Sequence, residues 1–217
     1  MSRNAAGRLH VITDESIQSR FSHFELACFA VRGGADAVQF REKRDWPLAR
    51  RVSVARAIRE RAGDSDVRLI VNDHPEVAAA AGAAGVHLGP RDLSPRRARG
   101  LLGADAIVGV TANDLDRARE LCGEPIDYLG LGPVFGTSSK ADPAPALGLD
   151  GLRCIAAAVD VPVIAIGGIT PQRVADVLAA GAHGIAVLSA VAAAPDPAER
   201  VAEFAAAIEQ ALGARAR

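Results

Sequence analysis

The sequence is poor in aromatic residues and shows no excess of one charge. Phe, Trp and Tyr make up 4% of the 217 residues, which argues against the stacking platforms that bind single-stranded nucleic acid. The 25 basic and 26 acidic residues nearly cancel, so the composition indicates no surface for a polyanion. We therefore expect no nucleic acid among the partners.

Cysteines are few, and long apolar runs are absent. Cys28, Cys122 and Cys154 lie far apart and have neither CxxC nor metal-ligand spacing, so we interpret them as buried thiols in a reducing compartment. Residues 1–7 lack the apolar core of a signal peptide, and no apolar run reaches the ~18 residues of a membrane span. These features predict a cytoplasmic protein with no membrane partner. The sequence leaves the oligomeric state open, a homo-oligomer included.

One short phrase, Gly-Ala-x-(Ala/Gly)-(Val/Ile), occurs four times. The copies begin at Gly34, Gly82, Gly103 and Gly181, and each follows a helix-like segment and opens an apolar run. Glycine just past a helix adopts the left-handed conformation that ends it, so the phrase predicts a helix-to-strand joint. A repeated joint of this kind is typical of stacked strand–helix units.

Eight short apolar runs alternate with helical patterns. The predicted strands are Leu9–Thr13, Ala37–Arg41, Val67–Asn72, Gly85–Gly89, Ala106–Thr111, Ile126–Gly132, Val161–Gly167 and Gly184–Ser189. Strands that are apolar almost throughout are buried on both faces, as in a parallel sheet. The pattern predicts an α/β protein, a (β/α)8 TIM barrel in one domain over 1–217, with flexible tails at about 1–7 and 213–217. A doubly wound open sheet is the alternative, but no Gly-x-Gly-x-x-Gly follows the first strand.

Polar residues or glycines follow nearly every predicted strand. In a barrel these strand ends surround one mouth, where the active site is built. An anionic pair, Asp73 and Asp92, follows the third and fourth strands. Mg²⁺ is commonly held by one or two carboxylates together with oxygens of a phosphorylated substrate, which makes this pair a candidate Mg²⁺ site. The alternative for either residue is a helix cap, favoured at Asp73 by the following His74-Pro75.

A cationic group follows the second strand. In an extended chain Gln39, Arg41 and Lys43 share one face, since alternate residues point the same way. Arginine binds an anion with a bidentate fork and lysine binds it as a point charge. Lys140, in the irregular segment 133–147, is a third candidate cation, although both stretches could instead be solvated loops.

Two further groups complete the predicted mouth. Asn72 and Thr111 can add neutral hydrogen bonds to an anion. Gly168 after the seventh strand and Leu188-Ser189 after the eighth occupy the frequent phosphate site of barrels. Two phosphate sites around one mouth indicate two phosphorylated substrates, or one that carries two phosphates. No side-chain nucleophile is evident, so catalysis would rest on a metal and cations that stabilise a leaving diphosphate.

The motifs around these candidates resemble those of the thiamine-phosphate synthase / TenI family. The resemblance covers about Leu9 to Leu212. It is carried by Gln39–Lys43, Val71–Asp73, Gly85–Gly89 with Asp92, Gly130–Phe135, Thr137–Lys140 and Ala165–Ile169.

The resemblance implies a barrel that joins hydroxymethylpyrimidine diphosphate to thiazole phosphate and releases diphosphate, with Mg²⁺ as cofactor. Two small phosphorylated molecules are then the expected partners, and Gln39 contacts the pyrimidine. The implied ligands are Arg41, Lys43, Asn72, Thr111 and Lys140 for the diphosphate, Asp73 and Asp92 for Mg²⁺, and Thr137, Ser139, Gly168, Leu188 and Ser189 for the thiazole phosphate. The implied catalytic residues are Arg41, Lys43 and Lys140.

One departure from the family pattern separates two activities. Two residues beyond Thr111 the family usually has a histidine, whereas this sequence has Asn113. That histidine is the proton-transfer candidate of the related thiazole tautomerase, and asparagine is no general base at neutral pH. Synthase is therefore favoured over the tautomerase, and a non-catalytic barrel that binds phosphate ligands is the remaining alternative.

Overall fold

Eight parallel strands close into a barrel in which each strand pairs with the next and the eighth pairs with the first. A computed structural model describes residues 6–63, 65–136 and 144–215. Within these ranges the strands are β1 Leu9–Thr13, β2 Ala37–Phe40, β3 Arg68–Asn72, β4 Gly85–Leu88, β5 Ile107–Ala112, β6 Tyr128–Leu131, β7 Val163–Ile166 and β8 Gly184–Val187. The predicted barrel is confirmed.

Helices connect successive strands and cover the outside of the barrel. They are α1 His23–Arg32, α2 Leu48–Gly63, α3 Pro75–Ala81, α4 Pro95–Leu102, α5 Leu115–Cys122, α6 Gly148–Ala157, α7 Val174–Ala179, α8 Ser189–Ala192 and α9 Pro197–Arg215. Most predicted strands extended one or two residues too far. Ser189 was assigned to a strand but begins α8, and Arg41 lies just past the end of β2.

The four repeated glycines lie at the joints between helices and strands. Gly34, Gly82, Gly103 and Gly181 all have positive φ, between +65° and +102°. At Gly82 the backbone is left-handed and its N–H donates to the Ala78 and Ala79 carbonyls, which ends α3. The predicted joints between helix and strand are confirmed at all four glycines. The predicted left-handed helix end is confirmed at Gly82, whereas Gly103, with φ +96° and ψ 170°, ends α4 in a different conformation that glycine also reaches without steric cost.

Side chains of each strand alternate between two apolar clusters. The small cluster includes Ile12, Ile70 and Tyr128, whereas Val11 and Leu69 belong to the large cluster that also contains helix residues. Alternate strand residues point to opposite faces, so the small cluster fills the barrel and the large one joins strands to helices. Each strand therefore presents its inward residues to the interior and, at its carboxyl end, to the mouth.

The prediction that the three cysteines are buried was wrong. Cys154 is exposed, and Cys28 and Cys122 are partly exposed free thiols. In α6 the residues that face the barrel are Leu152 and Ile155, which leaves Cys154 on the outer face of the helix.

The longest helix, α9, packs against α1 and α7, with Val201, Phe204 and Ile208 buried. Among the described residues, no helix combines the length and the apolar character that a bilayer crossing needs.

His10 makes folding stability sensitive to acid. Burial lowers its pKa to about 4 from an ordinary 6.5, although its Nε2 lies 2.5 Å from the Ala6 carbonyl oxygen. Between these two pH values the unfolded chain binds a proton that the folded chain excludes. The stabilisation is complete above pH 6.5 and falls as pH approaches 4, by about 2 kcal/mol at pH 5.

Urea unfolding at pH 7 and pH 5 measures this loss of stability. His10→Gln is expected to reduce it, and an identical loss in the variant would contradict the assignment.

Candidate active site

The loops after β2, β3 and β4 bring two cations and two carboxylates together at the mouth. The Lys43 ammonium forms an ion pair with the Asp73 carboxylate. The Asp73 and Asp92 carboxyl groups lie close enough to perturb each other's pKa, and Asp73 lies close enough to Arg41 for their charges to interact. Four residues predicted from three separate segments therefore lie close together.

Asp73 has an unusual backbone conformation. Its φ of +68° is the single positive value among the described non-glycine residues, and its N–H donates to the His87 carbonyl oxygen at 2.8 Å. Aspartate tolerates this left-handed region better than most residues, and such conformations cluster at functional sites.

The alternative interpretation of the two aspartates as helix caps is wrong. The N-cap residue of α3 is His74, and that of α4 is Ser94. Instead, an Asp92 carboxylate oxygen accepts the Gly89 N–H at 2.7 Å, which fixes the loop after β4 beside Asp73.

The two carboxyl groups have pKa values displaced in opposite directions. Burial favours a higher pKa at Asp73, but hydrogen bonding from Lys43 and its positive charge hold that pKa below the ordinary value. At Asp92 burial raises the pKa, and the neighbouring Asp73 carboxylate adds to the increase. Two carboxylates with one lysine leave a local excess of negative charge, and a divalent cation relieves such an excess. The donor set of hard oxygen atoms fits Mg²⁺.

Arg41 is held in place from the end of β1. The Arg41 guanidinium forms an ion pair with Asp14, whose side chain is 1% exposed. The backbone N–H of Arg41 donates to the Thr13 carbonyl oxygen at 3.2 Å. Asp14 in turn accepts hydrogen bonds from the backbone and hydroxyl of Ser16. Sequence analysis gave Asp14 no role. Its position at the end of the strand next to β2 was the signal that could have identified it.

Three neutral candidates occupy inward positions near the mouth. Gln39 and Asn72 are buried on β2 and β3. The Thr111 hydroxyl lies 2.9 Å from His87 Nε2, and His87 Nδ1 lies 3.0 Å from the Tyr128 hydroxyl. His87 is therefore a hydrogen-bonded interior residue.

The loops after β6 and β7 are fastened to each other. The Phe135 N–H donates to the Gly167 carbonyl at 3.0 Å, and Arg173 donates to the Gly168 carbonyl at 2.7 Å while stacking on the Phe135 ring. Gly168 has φ +65°, and a Cβ there would lie 2.9 Å from the Gly136 carbonyl oxygen. Only glycine fits this exposed bend without strain.

The remaining candidates divide between described and undescribed parts of the chain. Leu188 is half-buried at the end of β8, and exposed Ser189 is the first residue of α8. With its amide nitrogen facing β6, Asn113 donates to the Gly132 carbonyl oxygen at 2.9 Å. Three predicted ligands lie outside the described residues: Thr137, Ser139 and Lys140.

Together the fold and the site define a class of protein. It is a (β/α)8-barrel enzyme with cations and carboxylates side by side at the mouth, an arrangement suited to an anionic substrate. The family described as thiamine monophosphate synthase matches residues 9–191, and the chain belongs to that family. It is 46% identical over 211 residues, 97% of this chain and 92% of the relative, to the thiamine-phosphate synthase of Salinibacter ruber.

Further relatives agree with this membership. The thiamine-phosphate synthase of Moorella thermoacetica is 42% identical, covering 94% of this chain and 97% of the relative. A solved thiamine phosphate pyrophosphorylase from Pyrococcus furiosus superposes with a TM-score of 0.86 at 36% identity, covering 97% of this chain and 99% of that one. The chain is an enzyme of this type, a transferase of thiamine biosynthesis.

Proposed function

We propose that the enzyme joins 4-amino-5-hydroxymethyl-2-methylpyrimidine diphosphate to thiazole phosphate, giving thiamine phosphate and diphosphate in a Mg²⁺-assisted dissociative displacement. The observation that carries this proposal is the meeting of Arg41, Lys43, Asp73 and Asp92 on three adjacent loops. A site with both charge signs suits a magnesium diphosphate, because the metal neutralises the carboxylates and the cations neutralise the phosphates.

The diphosphate end of the first substrate would bind the cationic side of this site. Arg41, fixed by buried Asp14, offers its remaining N–H donors, and Lys43 adds a point charge from an exposed position. Asn72 and Thr111 add neutral hydrogen bonds, and Lys140 is assigned here on the sequence alone. Gln39, buried on the inner face of β2, would contact the pyrimidine.

Asp73 and Asp92 would hold Mg²⁺. When bound, the metal supplies positive charge to the diphosphate oxygens as the diphosphate leaves. The chain's own contribution is to hold the two carboxylates side by side and to keep Asp73 ionised through Lys43.

The reaction would break the bond between the methylene carbon and the diphosphate oxygen and form one from that carbon to the thiazole nitrogen. The departing diphosphate takes the bonding electron pair, and Arg41 and Lys43 stabilise the developing charge. The aminopyrimidine stabilises the methylene cation until the thiazole nitrogen donates its electron pair. No protein nucleophile is needed.

The thiazole phosphate would bind at the loops after β7 and β8, at Gly168, Leu188 and Ser189, with Thr137 and Ser139 assigned on the sequence alone. The exposed bend at Gly168 leaves its backbone accessible to a phosphate. The tautomerase alternative is not favoured, because Asn113 carries an amide that binds the Gly132 carbonyl rather than a basic group. A cytoplasmic location and the lack of nucleic-acid or membrane partners stay predictions.

An assay of diphosphate release from the two substrates, with and without Mg²⁺, tests the proposal. Release that needs both substrates and the metal is the expected result. Turnover of thiazole phosphate alone would identify a tautomerase, and binding of either phosphate without turnover would identify a non-catalytic barrel.

Gly168→Ala is expected to raise the KM for thiazole phosphate. The matched control is Gly148→Ala, because Gly148 has φ +66° but no atom of the described residues within 4 Å of its Cβ position, whereas Gly168 has φ +65° and a close contact. Both variants should lose about 1–2 kcal/mol of stability from the left-handed backbone, and Gly168→Ala should lose more because its Cβ meets the Gly136 carbonyl oxygen. Only Gly168→Ala should change this KM, and equal values in the two variants would remove Gly168 from the phosphate site.

A further inference from the structure

Glu42 lies between Arg41 and Lys43 in the loop after β2, and its carboxylate points away from the mouth. Glu42 is 4% exposed, whereas its neighbours Arg41 and Lys43 pair with Asp14 and Asp73 at the mouth. Successive residues of an extended segment face opposite sides. Burial of Glu42 beneath α1 therefore turns the two cations toward the mouth.

The Glu42 carboxylate belongs to a cluster that links the loops after β1 and β2. It accepts hydrogen bonds from Arg44 Nε at 2.9 and 3.0 Å and from Arg44 N at 2.7 Å, and it lies 3.2 Å from His23 Nε2. Arg44 also donates to Glu15 at 2.6 Å. His23 Nδ1 lies 2.8 Å from the Thr13 hydroxyl, which ties the cluster to the end of β1.

Arg51 of α2 fastens the backbone of the same loop. It donates to the Glu42 carbonyl at 2.7 Å, the Arg44 carbonyl at 2.6 Å and the Trp46 carbonyl at 3.1 Å. The loop that carries Arg41 and Lys43 is thus fixed through its carbonyl groups as well as through the Glu42 side chain.

The cluster could be considered a metal centre, because single ligand atoms of Glu15, His23 and Glu42 lie within 4.8 Å of one another. Both carboxylates already have a cationic partner, however. Arg44 forms ion pairs with Glu15 and with Glu42, and burial lowers the pKa of His23, which favours its neutral form. A buried charge that is paired and hydrogen-bonded needs no further cation. The arrangement is typical of a structural network rather than a metal site.

We infer that Glu42 is a positioning residue for the diphosphate, acting through the His23–Glu42–Arg44–Glu15 cluster to orient Arg41 and Lys43. The inference rests on the proposed function, since it assumes that these two cations bind the diphosphate. Removing the Glu42 charge should loosen the loop and displace both cations. The thiazole side of the mouth lies on the loops after β7 and β8 and should be unaffected.

The test uses Glu42→Gln, which keeps the size of the side chain but weakens its bonds to Arg44. The readouts are the affinity for inorganic diphosphate with Mg²⁺ by calorimetry, and the separate KM values for the two substrates. The matched control is Asp127→Asn. Asp127 is a partly buried carboxylate paired with Arg99 at 2.6 Å, just before β6 and therefore at the opposite end of the barrel.

Glu42→Gln is expected to weaken diphosphate binding and to raise the KM for the pyrimidine diphosphate by about tenfold or more. The KM for thiazole phosphate should stay unchanged, and Asp127→Asn should alter neither value beyond its effect on stability. Arg44→Gln, at a side chain 40% exposed, should act in the same direction and replaces Glu42→Gln if that variant fails to fold.

Two results overturn the inference in different ways. Wild-type diphosphate affinity in both cluster variants, together with lost affinity in Arg41→Ala, would refute positioning by Glu42 and leave the proposed function intact. Equal weakening of diphosphate binding in Glu42→Gln and Asp127→Asn would show that loss of either carboxylate loosens the whole barrel, with no specific role for Glu42. A wild-type enzyme that binds no magnesium diphosphate would refute the proposed function itself.

Discussion

Replacement of Asp73 by asparagine is expected to lower kcat for diphosphate release by about a thousandfold at ordinary Mg²⁺, because a bound metal supplies several kcal/mol of transition-state stabilisation. Asparagine is the informative substitution. It tolerates the left-handed backbone at φ +68° and has nearly the same size, so the variant loses the charge and keeps the conformation. The measurement is the steady-state rate as a function of Mg²⁺ concentration.

The Asp73→Asn variant should retain the thermal stability of the wild type and should need more Mg²⁺ for half-maximal activity. Asp92→Asn is expected to act in the same direction, because Asp92 is the second carboxylate of the proposed metal site. Activity that is unaltered in both variants would rule out a metal at this pair of aspartates.

Arg41→Ala is expected to reduce kcat/KM for the pyrimidine diphosphate roughly 10- to 150-fold. This factor corresponds to about 1.5–3 kcal/mol of lost transition-state stabilisation, the contribution of a charge-assisted hydrogen bond. Lys140→Ala should have an effect of similar size. The KM for thiazole phosphate should change little, because Arg41 follows β2 whereas the residues proposed for that phosphate follow β7 and β8. Unchanged kinetics in both variants would remove the diphosphate assignment.

Stability must be separated from binding in Arg41→Ala. The variant leaves Asp14, whose side chain is 1% exposed, without its ionic partner, and an unpaired buried charge costs about 3–5 kcal/mol. The double variant Asp14→Asn/Arg41→Ala removes that charge and should recover part of the melting temperature. Its kinetic defect should persist, since the guanidinium is still missing. Recovery of activity along with stability would contradict a direct role for Arg41.

Local patterns predicted the barrel well because each strand–helix unit repeats the same signals. The four joint glycines and the prolines that begin α3 and α4 act within a few residues of themselves, so sequence alone locates them. Strand ends were placed less well. The β2 strand stops at Phe40, and just past its end Arg41 pairs with Asp14, a partner that no local pattern reveals.

The candidate site was predicted as a set of residues but not as a set of contacts. The sequence placed Arg41, Lys43, Asp73 and Asp92 at strand ends, and the parallel sheet brings those ends to one mouth. It did not predict that Lys43 would pair with Asp73. The cap interpretation of Asp73 failed for the same reason, because its side chain is directed by Lys43 and Asp92 rather than by the helix that follows.

The sequence by itself determined the repeated architecture and the collection of polar residues at one end of the strands, because both follow from neighbours along the chain. Only the tertiary structure decided which charges meet. Asp14 and Arg41 are 27 positions apart, and Lys43 and Asp73 are 30 apart, so their pairing depends on the register of adjacent strands. The burial of Glu42 against His23 also depends on the tertiary structure. The sequence shows a carboxylate between two cations, but only the packing of the barrel decides which way that carboxylate points.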